Sequence, residues 1–488
     1  MPTDLLSSLF SNLWSIFLVI VFFGGSIFVH ELGHFLAARR RGVHVERFSI
    51  GFGPAIFSWR GRDGVEYRIS WIPLGGYVLL PQLADLSAVE GKSATDVSTL
   101  PPISYATKML VFVAGAAFNI LFAFLLAMIV WVVGQPTIAV FNTTTIGHVE
   151  PTITLGTDKV VPNPAAEAGL QPGDVVKSID DLPVGDFEDI MNAVVLGKER
   201  SADGRRVSNF VIERAGRQLA ITVHPLLLGD DQLRVAGVQP AEDLTADAVM
   251  PGSPAEAAGV RPGDRIVAVD GRPVFRRVTV ANHLAQHPDG PSAFVFQRGD
   301  GRVTLQIQPR LQSDTPGATP VPRIGIQYRE PVIVVHPTPW AQISEDVRMT
   351  VRTISALVSP SSDIGASKLS GPIGIARALH QQAQWDIRRV LWFTILVNVN
   401  LAIFNLLPIP VLDGGQMLFA TINRLRRREL PASFIMATQS AFFVLIFSLI
   451  IYVSFFDFRR WARDLQTDRA EAAAAERAKD ATPAPAKP

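Results

Sequence analysis

The 488-residue chain contains no cysteine. That absence excludes disulfides, thiolate metal sites and a cysteine nucleophile. An excess of either charge is missing too. Lys and Arg number 45 against 44 Asp and Glu, a formal net charge of +1, so nothing biases the whole chain toward nucleic acid or acidic partners. Residues 1–13 hold no basic side chain, whereas Arg39, Arg40 and Arg41 follow the first apolar run. That order, and the length of the run, read as a membrane span rather than a signal peptide.

What the sequence does have is apolar residues in blocks. Runs at 14–38, 105–133, 390–412 and 434–456 are each long enough to cross roughly 30 Å of hydrocarbon as a helix. Basic flanks set their orientation. Arg39, Arg40, Arg41, Arg60, Arg62, Arg68 and Lys108 lie between or at the edge of the first two runs, and "NRLRRREL" at 423–430 follows the third. This puts the loops 39–104 and 413–433 in the cytoplasm and 134–389 outside; Arg388, Arg389, Arg459 and Arg460 oppose that assignment.

The fold class expected is a polytopic α-helical membrane protein with four transmembrane helices, two extracytoplasmic αβ modules and a membrane-associated β-hairpin region. The β region lies at 39–104, where glycines break short β-rich runs between 47 and 80. The modules come from an internal repeat. "NPAAEAGLQPGDVVKSIDDLPV" from 163 and "SPAEAAGVRPGDRIVAVDGRPV" from 253 share ten of 22 positions, giving modules near 140–230 and 235–330. Apolar residues at helical spacing over 339–358 predict an amphipathic helix at the outer interface. The spans are bounded at 1–38, 105–133, 390–415 and 434–456, and the low-complexity tail 465–488 is expected to be disordered.

The first run ends in "FVHELGHFLAARRRG" (28–42), which places His30, Glu31 and His34 inside apolar sequence. Ionisable groups are costly there and default to function. His-Glu-x-x-His on a helix brings both imidazoles to one face, one turn apart, within reach of one metal. The Glu lies alongside as a general base. Composition makes a chance match about a one-in-a-hundred event. A catalytic zinc takes three protein ligands and leaves one position open. Spans 1 and 3 run the same way, so their C-terminal ends share a depth. The third ends in "NVNLAIFNLLPIPVLDGGQ" (398–416), where Asp413 is the only acid between Asp386 and Glu429. Asp-Gly-Gly alone reads as a turn; with the histidines it reads as the third ligand.

Together, "HELGH" and "NLLPIPVLDGG" resemble the site-2 protease family of intramembrane zinc metalloproteases. "GFGP", "IPLGGYV" (72–78), "SGPIGIA" (370–376) and the repeats, which look like PDZ domains, resemble its bacterial regulator-of-sigma-E protease branch. The resemblance implies that His30, His34 and Asp413 hold Zn2+, that Glu31 is the base, and that Asn405 holds substrate or stabilises the reacting carbonyl. Helix–helix glue is the plainer reading of Asn405 alone. It implies that Gly75, Gly76 and Tyr77 belong to a region presenting substrate as an extended strand. It also implies a multi-pass bacterial inner-membrane protein with periplasmic PDZ domains and an active site toward the cytoplasm. The substrate implied is a single-span membrane protein, an anti-sigma factor after a first extracytoplasmic cut, with remnant signal peptides second. The modules then serve as a size filter or bind chain ends by strand addition. A non-catalytic PDZ scaffold and a zinc transporter are the rival readings. Asp174 and Asp264 read as turn residues, and Gly371, Pro372 and Gly374 as a turn before the third span.

Overall fold

The computed structural model describes residues 2–83, 99–155, 159–313, 320–329 and 332–480. Parts of the expected β region (84–98), of the two modules (156–158 and 314–319) and of the tail (481–488) lie outside these. The chain divides into two units, one made of 1–136, 334–351 and 369–459 and the other of the remainder.

Among the described residues, four helices are long and apolar enough to cross a membrane: Ile16–Arg40, Tyr105–Val133, Ile387–Asn405 and Ala432–Thr467. The protein is therefore a polytopic membrane protein. The first, second and third pack on one another. Small residues allow the closest approach: a Cβ at Gly33 would fall inside van der Waals contact of the Ala114 carbonyl. The buried Asn398 amide donates to Ser26 Oγ at 2.8 Å, joining the third span to the first.

Two strands, Arg47–Arg60 and Glu66–Leu79, form the β region. Both bend, so residues 47–50 pair with 76–79 on one side and with 66–69 on the other, while 57–60 pair with 66–69. The order across the sheet is 57–60, 66–69, 47–50, 76–79, which makes 76–79 an outermost strand.

The structure corrects three expectations here and adds a packing contact to a fourth. The third span stops at Asn405, and a separate helix, Asp413–Arg426, begins after a turn. Pro408 and Pro410 lack the N–H groups that a continuous helix needs. The segment around Gly371 is the start of a 14-residue helix, Pro372–Trp385, not a simple turn. Its Gly371 and Gly374 amides donate to the buried Asp457 carboxylate of the last span at 2.9 and 2.8 Å. Glycines are required there because a Cβ at Gly374 would stand 2.7 Å from Asp457 Oδ1. The amphipathic helix Pro339–Val358 forms as expected, but Ile343 and Val347 pack among Ala123, Val130, Ile395 and Val399 of the second and third spans. Its inner face thus covers protein rather than lipid. The last helix runs from Ala432 to Asp480, so 465–480 is helical where disorder was expected. Ala, Glu and Arg there are strong helix formers.

The second unit contains two modules of one topology. In the first, a four-stranded sheet runs Arg217–Val223, Ser208–Arg214, Val175–Ile179, Leu182–Pro183. In the second it runs Gly301–Ile307, Ser292–Arg298, Arg265–Val269, Arg272–Pro273. Each buries its own core, around Ile179, Phe187, Phe210 and Ile212 in one and Ile266, Leu284, Phe294 and Phe296 in the other. The paired acids are pins of this fold. Asp174 accepts from Gln171 N at 2.8 Å and from Arg214 Nε and Nη2 at 2.6 and 2.7 Å. Asp264 accepts from Arg261 N at 2.8 Å and from Arg298 Nε and Nη2 at 2.8 and 2.6 Å.

Candidate active site and metal centre

The first span carries His30, Glu31 and His34 within its last three turns. The turn after the third span folds back so that Asp413, first residue of its helix, meets them. Glycine makes that return fit: a Cβ at Gly414 or Gly415 would clash with the carbonyls of Leu406, Leu407 and Ile409.

Three ligand atoms converge. His30 Nε2 lies 3.1 Å from His34 Nε2, and Asp413 Oδ2 stands 3.3 Å from each. These are the described residues that could hold a metal ion. Ligands about 2.0–2.1 Å from a tetrahedral zinc are spaced roughly 3.3 Å apart, so the triangle has the size such an ion requires. The Asp413 Oδ2 atom is buried and has no hydrogen-bond partner. A buried carboxylate oxygen without a donor is costly, and a cation at the centre would satisfy it. Two imidazoles and one carboxylate also suit zinc chemically. The donor set fits the ion.

The surroundings orient the rings. His34 Nδ1 donates to the Val111 carbonyl at 2.8 Å, which turns the Nε2 lone pair of the neutral ring to the centre. His30 Nδ1 lies 3.3 Å from the side-chain amide of the fully buried Asn119. Asn119 Oδ1 has no partner, so reversing the amide would let it accept from Nδ1–H and orient the second ring the same way. Gly115 supplies the space, since a Cβ there would meet both imidazoles. Sequence reasoning missed Asn119 and Gly115. The available signal was a lone amide inside an apolar span.

The other expected site residues fall in different places. Asn405 Nδ2 is 3.5 Å from His30 Nε2, at the margin of hydrogen-bond distance but beside the ligand triangle. Gly76 lies against the first span, where a Cβ would stand 2.9 Å from Glu31 Cγ and 3.4 Å from Ile27 Cγ2. Gly75 has φ 156° beside it. Tyr77 is buried, and Arg47 Nη1 reaches its hydroxyl at 3.5 Å.

A helix-borne histidine pair with an intervening glutamate, completed by a distant aspartate at the end of a membrane span, defines a membrane-embedded metallopeptidase. Comparison with known sequences agrees. The profile of peptidase family M50 matches residues 18–449. A putative zinc metalloprotease of Vibrio cholerae is 30% identical over 483 residues, covering 92% of this chain and 99% of that protein. The regulator of sigma-E protease RseP of Escherichia coli is 30% identical over 476 residues, covering 91% and 99%. Protease RseP of Yersinia pestis is 31% identical over 440 residues, covering 85% and 92%. The chain belongs to peptidase family M50, the site-2 proteases, and is a zinc metalloendopeptidase.

Proposed function

We propose that this peptidase performs regulated cleavage of single-span proteins within or near their membrane segment, in a bacterial inner membrane. The observation that carries the reading is a ligand triangle at the end of a span with the outermost strand 76–79 running past Glu31. The substrate class is a membrane-bound anti-sigma factor already trimmed outside, in keeping with the names of the relatives. Remnant signal peptides are a second candidate.

His30, His34 and Asp413 hold the zinc, which when bound polarises a carbonyl and lowers the pKa of water. The Glu31 carboxylate takes the proton of the attacking water and returns it to the leaving amine. A transmembrane helix hides its carbonyls in i→i−4 bonds, so the substrate must unwind before attack. Residues 75–77 receive the unwound segment by strand addition, and the Asn405 amide holds it beside His30. The modules are PDZ-type and periplasmic, while the active site faces the cytoplasm. They exclude substrates whose outer domain is intact, so cleavage waits on the earlier cut.

The test is a paired assay in membranes. A tagged single-span reporter lacking its outer domain is co-expressed with wild type or Glu31→Gln, and the fragments are read by blot. A shorter fragment with wild type alone is the expected result. Equal cleavage by both would overturn the role of Glu31. Restoring the outer domain should suppress the cut; undiminished cleavage would remove the size filter.

A further inference from the structure

A cleft of about 330 Å³ opens where the second span begins, on the helix that Asp413 starts. Its walls come from sequence-distant segments. Tyr105 and Lys108 belong to the first turn of the second span, and Arg424, Arg427 and Arg428 to the end of the 413–426 helix and the turn after it. One acid, Glu429, also lines it. Four cations against one carboxylate leave three positive charges around the cleft. Among the described residues, none of the four cations stands in an ion pair.

Topology alone asks only that basic residues lie in this loop. It does not ask that they converge, yet here the arrangement is built. The Arg424 guanidinium stacks over the Tyr105 ring, 4.7 Å from its centroid. The Tyr105 hydroxyl and Thr421 Oγ1 are hydrogen-bonded at 3.1 Å, tying the two walls together. Arg427 adopts a left-handed backbone, φ 53°, and Asn423 Oδ1 accepts from Leu430 N at 2.9 Å, which folds the chain back over the cleft. Like charges around one cleft repel one another, and an anion between them relieves the repulsion.

The depth identifies the anion. Tyr105 begins a membrane-spanning helix, so the cleft lies at headgroup level whichever face is cytoplasmic. Basic pockets between transmembrane helices at that level suit anionic headgroups, and Arg and Lys both bind phosphate oxygens. We propose that this cleft binds the phosphate of an anionic membrane lipid, bridging the second span to the helix that carries Asp413.

The experiment uses the full chain in neutral detergent. Native mass spectrometry and melting temperature follow titration with phosphatidylglycerol, phosphatidylcholine and inorganic phosphate. Wild type should retain phosphatidylglycerol in preference to phosphatidylcholine. R424Q/R428Q should bind it roughly 30-fold more weakly, whereas R60Q/R62Q, which removes equal charge elsewhere, should match wild type. K108Q tests the opposite wall, with weaker binding expected, should the double variant fail to fold. Competition of inorganic phosphate with the lipid would support a shared oxyanion site. Phosphate binding without lipid binding would overturn the lipid assignment. Equal retention of both lipids, or equal loss in the two double variants, would reduce the cleft to diffuse surface charge and overturn the proposal.

Discussion

Two kinds of carboxylate organise this molecule. In the modules, Asp174 and Asp264 are almost wholly buried, and each is saturated by a backbone amide and a two-pronged arginine. At the end of the first span, Asp413 turns Oδ2 toward two imidazole nitrogens at 3.3 Å and receives no hydrogen bond on it. The modular acids have everything a buried carboxylate needs from the chain itself. Asp413 keeps an oxygen for which the chain supplies no hydrogen-bond donor and which a cation would satisfy. A satisfied pair holds a fold together; an unsatisfied group whose neighbours are also electron donors marks a site.

The contrast is sharpest when the acids are removed. Asp413→Ala should bring zinc content of the purified protein to background and abolish cleavage, with the modules still folded. Retained stoichiometric zinc would erase the distinction. Glu31→Gln should lower cleavage by on the order of 10²–10⁴ while leaving zinc bound, because Glu31 is not one of the three converging ligands.

A smaller effect is expected from crowding the ligands without touching them. The Cβ added by Gly115→Ala would push on both rings. Zinc affinity should fall by roughly 10–100-fold, the range of lost orienting contacts. A chelator competition measures it, and unchanged affinity would mean that the spans part easily.

The modular acids should behave oppositely. Burial pushes the Asp264 carboxyl up, and the hydrogen bonds and charge of Arg298 more than offset this, holding it below the usual range. Arg298→Met would leave that carboxylate with the Arg261 amide as its remaining donor, and the module should lose stability. Proteolysis of the module should accelerate while zinc content stays unchanged. If zinc were lost as well, the two classes of acid would not be independent.

The histidine pair was legible because its geometry is local: i and i+4 on a helix need no knowledge of the rest of the chain. Asp413 was legible because acids are rare in apolar sequence and the spans' directions fix depth. Asn119 and Gly115 were not, since their meaning depends on the rotation of the second span about its axis against the first. The outermost position of 76–79 depends on how two long strands bend back over each other, which alternation does not reveal. Gly-Pro-x-Gly at 371–374 reads as a turn until Asp457, more than 80 residues later, is seen to accept its free amides. Proline then suits the first helical turn.

The least expected effect concerns an acid intermediate between the two kinds. Asp363 follows the amphipathic helix and collects Arg206 Nε at 2.9 Å, Arg234 Nε at 2.6 Å and Arg200 Nη2 at 3.2 Å. Arg234 is almost fully buried. Burial raises the Asp363 carboxyl, but Arg206 and Arg234 outweigh it and bring the pKa to about 2. An unfolded aspartate titrates near 3.9. The folded carboxylate is thus favoured, and its stabilisation is full above about pH 4 and lost as pH falls toward 2. Asp363→Asn should cost about 2 kcal/mol at pH 7, with the gap to wild type closing between pH 4 and 2. Urea unfolding followed across that window measures it. A gap that persists at pH 2 would mean that Asp363 holds its arginines by shape rather than charge, placing it apart from both kinds of carboxylate.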